Sequence, residues 1–135
     1  MSDEARRGRL IFLTLSALIL LHPVIDTARA IRLGDFEDSG PFLGLILESV
    51  LLYRTYRGST AARRLTVALL LLGGVINPLI AFRDVEHEGI MIDFRISPDL
   101  RLLALGAFAL ASAVLLVASR PVRSFLEFQR GGGAA

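Results

Sequence analysis

Glu48 stands inside an apolar run, Phe42–Tyr53 (FLGLILESVLLY), where an ionisable side chain is expensive unless it has a function or a partner. A carboxyl in such a place can pass a proton or balance a cation when hydroxyls stand at its depth. Glu48 lies six residues from Arg54, Ser16 seven from Arg9 and Ser112 eight from Arg120, each counted from the arginine bounding its apolar stretch. At about 1.5 Å per residue the three share a depth of roughly 9–12 Å, a candidate polar layer for relaying protons or cations. The plainer reading is a protonated Glu48 that bonds a serine and glues two hairpins together, a contact worth about 0.6–2 kcal/mol.

His22 and Asn77 form a second candidate layer, each thirteen residues from its boundary arginine and each followed by proline. They can bond one another or line an outward-open cavity. A lone histidine beside proline is more often a satisfied structural residue. The coincidence belongs to an apparent repeat at an offset of 55, pairing Arg9, Leu10, Leu15, Pro23 and Ile25 with Arg64, Leu65, Leu70, Pro78 and Ile80. Paired interruptions mark binding sites in transporters, but five identities in leucine-rich sequence are what shared composition readily supplies. Gly73 and Gly74 on one stretch, and Gly106 among alanines 104, 107, 109 and 111 on another, are read as sites of close helix contact.

Two connections are rich in acids: Asp35, Glu37 and Asp38, then Asp84, Glu86, His87, Glu88 and Asp93. Oxygen clusters of this kind can bind divalent cations, and His87 adds a transition-metal option. Without EF-hand spacing they read as solvated acidic loops, and no metal is expected. The sequence contains no GxSxG, HExxH, GxGxxG or phosphate-binding glycine loop, so neither an enzyme nor a cofactor is expected. With no cysteine, thiol chemistry and disulfides are excluded.

The elements that must carry these residues are apolar around their whole circumference. Leu10–Ile25, Leu65–Phe82 and Leu102–Ser119 show no polar face, and a chain of 135 residues has no core large enough to bury them all. Lipid is the remaining environment, and there the backbone must be helical. Phe42–Tyr53 is shorter. Its apolar residues favour insertion by roughly 4 kcal/mol and the acid opposes it by roughly 3, so it inserts only as a hairpin with its neighbour. The expected fold is all-α: an integral membrane bundle of four transmembrane helices in two hairpins, with spans at 10–25, 42–56, 65–82 and 102–119.

Charge orients the bundle. All fifteen basic residues are arginine. Ten of them, against three acids, lie in the N-terminal tail, the second connection and the C-terminal tail; five, against nine acids, lie in the other two connections. The positive-inside rule then places both termini in the cytoplasm of a bacterial inner-membrane protein, with Tyr53 and Tyr56 at the inner interface. A rival reading makes the first stretch a signal peptide ending in an Ala-x-Ala site at Ala28–Ala30, against which stands the long, acid-containing interval after the apolar run. Residues 1–9 form a basic tail. After Arg120-Pro121, Val122, Phe125 and Leu126 share one helical face, which suits a short helix in the headgroup layer or a frayed extension of the fourth span. Gly131–Ala135 is expected to be disordered. Ile90–Ile96 alternates apolar and polar, a strand-like pattern.

In size and number of spans the chain resembles the small multidrug-resistance transporters, four-helix proteins with one essential membrane carboxylate. The resemblance implies a transport role for Glu48. The family carries its glutamate in the first span and lines its pocket with aromatic residues, whereas here the acid is in the second span and tryptophan is absent. The leading expectation is an accessory, structural or regulatory subunit acting through helix contacts in the bilayer. The alternative is a small transporter or channel component that uses Glu48 as an oligomer. Its expected partners are membrane lipids and another membrane protein or a second copy, not nucleic acid, because the positive charge lies at the membrane surface.

Overall fold

The computed structural model describes residues 1–34, 37, 39–88 and 100–132, with side chains between 60 and 88 described as far as Ala81. Five helices follow in order: α1 Asp3–Leu33, α2 Gly40–Tyr56, α3 Thr60–Glu88, α4 Leu100–Ala118 and α5 Arg120–Gly131. All regular structure among the described residues is helical. The alternating stretch 90–96 and the side chains of the second acidic cluster lie outside the described residues, as do Asp35, Asp38 and residues 133–135.

Helix α1 extends well past its apolar stretch because both ends are capped. Ser2 Oγ accepts from the Ala5 amide at 3.2 Å, and Asp3 and Glu4 complement the helix dipole in the first turn. Gly34 ends the helix in the left-handed region at φ 67°, its amide reaching the Ala30 and Ile31 carbonyls. The helix continues unbroken through Ala28–Ala30 and supplies Ala5, Phe12, Leu15 and Ile19 to the core, which cleavage there would remove. Pro41 opens α2, where its missing amide is harmless.

α1, α3 and α4 are long and apolar enough to cross a membrane. Many of their large apolar side chains face outward: Leu10 and Leu21 on α1, Leu72 and Leu79 on α3, and Val114 and Val117 on α4 are all exposed. So continuous an apolar exterior has no stable place in water, and the chain is a membrane protein. α2 has 17 residues, about 25 Å of helix against a hydrocarbon core of about 30 Å.

The best-buried apolar cluster lies at the end where the first turns of α1 meet α5, not at the middle of the helices. Phe12, Leu52, Leu116, Val122, Phe125 and Leu126 pack there, and the rings of Phe12, Tyr56 and Phe125 form a triangle with centroids 5.4–6.2 Å apart. The C-terminal segment is thus neither a frayed end of α4 nor a helix lying free in headgroups. Ser119 breaks the path with an extended backbone, and α5 folds back so that Val122 and Phe125 are completely buried by protein. Two glycines permit this docking. A Cβ on Gly8 would overlap the Pro121 carbonyl, and one on Gly58, already at φ +85°, would stand 2.8 Å from the Arg130 amide nitrogen. Tyr53 faces outward, as an interfacial residue should, whereas Tyr56 turns into the ring cluster.

α3 and α4 make the other close contact, at Gly74 and Gly106. A Cβ on Gly106 would lie 2.7 Å from the Pro78 ring, and one on Gly74 would lie 2.5 Å from the Leu110 side chain. Gly73 meets nothing nearer than Asn77 at 4.0 Å, so of the three expected packing glycines it is not one. Gly106→Ala is expected to lose about 1–3 kcal/mol because a proline ring cannot yield. Gly73→Ala is expected to be neutral or to gain up to about 1 kcal/mol from helix propensity. Thermal unfolding of the two variants in detergent checks the contrast.

Candidate functional site

The polar residues inside the bundle regroup relative to the depth count. One cavity of about 240 Å³ is lined by Glu48 of α2, His22 and Pro23 of α1, and Gly73 and Asn77 of α3, with Leu102, Leu105, Phe108 and Ala109 of α4 closing it. Glu48 therefore shares a cavity with His22 and Asn77, the residues of the other expected layer, rather than with Ser16 and Ser112. Ser112 is fully buried, and its hydroxyl donates to the Phe108 carbonyl of its own helix at 2.8 Å. Ser16 Oγ is buried without a partner.

The count failed because it set Arg9, Arg54 and Arg120 at one height. α1 is helical from Asp3, and α4 ends at Ala118, where the chain turns to enter α5. Arginines at these three places mark different levels. Glu48 shares its surroundings with Ile19 and His22, one to two turns beyond Ser16.

One carboxylate oxygen, Oε2 of Glu48, is buried and has no hydrogen-bond partner. A buried polar atom left in this state is costly, and its natural complements are water, a proton donor or a cation. On one side of it His22 leads outward. His22 Nδ1 lies 3.3 Å from Asp26 Oδ2, and Arg101 of α4 reaches the other oxygen of Asp26 at 3.8 Å. Asp26 and His22 are partly exposed, so this end of the site communicates with the surface.

On the other side, Glu48 also lines a smaller cavity of about 70 Å³ that reaches Thr66. Thr66 and Thr55 are buried between α3 and α2 with their hydroxyl oxygens 3.5 Å apart, each donating at 2.8 Å to a carbonyl one turn back, Ala62 and Leu51. Thr55 in turn lines a third cavity of about 100 Å³, where Glu127 and Arg130 of α5 meet Ser59 and Arg63. Asp26, His22, Glu48, Thr66, Thr55 and Glu127 thus follow one another through neighbouring cavities along the bundle.

Arg63 is held beside this line. Its Nη2 and Nε donate to the Leu116 carbonyl at 2.6 and 3.2 Å, closing the last turn of α4. Among the described residues no group of three or more His, Cys, Asp or Glu is placed to hold a metal.

Asp26, Thr55, Thr66 and Arg101 were missed from the sequence. Asp26 had a readable signal, since it follows His22 by four residues and shares its helical face. The two threonines gave none: nothing in one sequence says which face of α2 meets which face of α3. Comparison with protein-family models, curated proteins and solved structures finds no match.

Proposed function

We propose that the chain is a four-span protein of a bacterial inner membrane, with both termini cytoplasmic, that carries protons or small cations through the Glu48 cavity. The single observation that carries the reading is the convergence of Glu48, His22 and Asn77 from three helices on one cavity, with a buried carboxylate oxygen unpartnered. Ionisable groups that face a bundle interior mark ion and proton paths, and an apolar pocket with a few convergent polar groups is the usual form of a binding site.

The outward face of α2 supports the fourth span. Leu43, Ile46, Leu47 and Val50, at helical spacing, are each at least 50% exposed, a stripe suited to acyl chains and not to water. α2 packs against both α1 and α3, which supports its insertion together with them despite its shortness. The arginine bias supports the orientation. Because the chain has no cysteine, Ser2→Cys and Gly131→Cys report each end without background. Both are expected to resist a membrane-impermeant maleimide in intact spheroplasts and to react after permeabilisation; labelling of one end alone would overturn the topology.

Proteoliposomes containing a trapped pH dye test the function. Under an imposed proton gradient the protein is expected to dissipate it faster than protein-free liposomes, and alkali-metal flux under the matching ion gradient checks the cation arm. Background rates for both would defeat the proposal. The accessory-subunit reading has one observation in its favour, that the polar groups along the bundle line three distinct cavities and not one continuous passage. It predicts no flux and a bundle loosened by loss of Glu48.

A further inference from the structure

We propose that the groove between α3 and α4 beside Arg63 and Arg64 is a binding site for one anionic phospholipid. The groove has a volume of about 390 Å³, and its two ends differ in chemistry. Thr60, Arg63 and Arg64 form the rim at the start of α3, while Val67, Leu71 and Val117 form the wall that continues along the helices. No acid lines it.

Arg63 is preorganised for an anion. Its bonds to the Leu116 carbonyl engage Nε and Nη2 and fix the plane of the guanidinium, whose charge also feels Glu127 and Arg123 of α5, so the uncompensated charge at this rim is that of Arg64. Arg64 is exposed, and its side chain makes no hydrogen bond or ion pair with another described residue. Two guanidinium groups and a hydroxyl at one rim match the oxygens of a phosphodiester, and basic pockets between spanning helices hold acidic headgroups in this way. The apolar wall selects a lipid over free phosphate, since only an acyl chain gains by lying on Val67, Leu71 and Val117. Net charge selects among lipids: the cationic group of a zwitterionic headgroup would meet Arg64, whereas phosphatidylglycerol brings none. The inference needs α3 and α4 to be in a bilayer but does not depend on the Glu48 cavity.

The test uses the full chain in detergent, mixed with equal amounts of phosphatidylglycerol and phosphatidylcholine of the same acyl composition and read by native mass spectrometry. One bound phosphatidylglycerol is expected to be retained about fivefold over phosphatidylcholine, the preference one basic residue contributes at an anionic surface. Arg64→Gln is expected to abolish the preference. Arg64→Lys, which keeps the charge, and Arg7→Gln, on the exposed part of α1, are expected to retain it. Equal retention of the two lipids by the wild type, or a preference that survives Arg64→Gln, would overturn the site. Displacement of bound lipid by millimolar inorganic phosphate would show the rim to be an anion site without lipid selectivity, and would overturn it as well.

Discussion

Glu48→Gln is expected to reduce proton flux through reconstituted protein to the level of protein-free liposomes, with the melting temperature changed by no more than a few degrees. Glutamine fills nearly the same volume and keeps the ability to accept and donate hydrogen bonds, so whatever packing Glu48 contributes survives the change. What disappears is the exchangeable proton and the negative charge available to a cation. The two roles of the residue therefore separate: a carrier loses its activity and a glue residue does not. Ser16→Ala and Ser112→Ala should leave flux intact, because neither side chain lines the cavity and the Ser112 hydroxyl is already bonded to its own helix. Wild-type flux in Glu48→Gln, or equal loss in the serine variants, would sink the carrier role.

Phe125→Ala is expected to release α5 and to lower stability by about 3–5 kcal/mol, the usual consequence of truncating a fully buried phenylalanine. Phe125 has no solvent exposure and joins Phe12 of α1 to Tyr56 of α2. No small side chain can hold that three-way contact together. In a Leu126→Cys background, where residue 126 is 6% exposed, maleimide labelling should be slow in the parent and fast after Phe125→Ala. Labelling at unchanged speed, with an unchanged melting temperature, would mean that α5 is held by lipid and not by the ring cluster.

The apolar stretches were legible because a side chain in hydrocarbon obeys a nearly local rule: Leu65–Phe82 and Leu102–Ser119 need no knowledge of their neighbours to be recognised as membrane helices. Their true ends were less so. Ser2, Asp3 and Glu4 at one end of α1 and Gly34 at the other are ordinary capping signals, which extend the helix far beyond its apolar part. Depth was the weakest inference. It treated each boundary arginine as a plumb line, yet Arg9 sits inside a continuous helix and Arg120 belongs to α5. A vertical error of one or two turns was enough to detach Glu48 from His22 and Asn77, which share its cavity. The amphipathic face of α5 was also legible, but amphipathicity reports only that a face is covered. Whether lipid or protein covers it depends on Gly8 and Gly58, whose importance appears only when another chain segment lies against them.

The docking of α5 onto the first turns of α1 sets an order on biogenesis. A translocon releases spanning helices in the sequence in which the ribosome makes them, so α1 enters the bilayer with Ala5, Gly8 and Phe12 still uncovered. It stays so until α5 has emerged. Translation halted before Ser119 would leave α1, α3 and α4 complete and still yield an unfinished molecule, its amino-terminal helix open along the face that α5 covers.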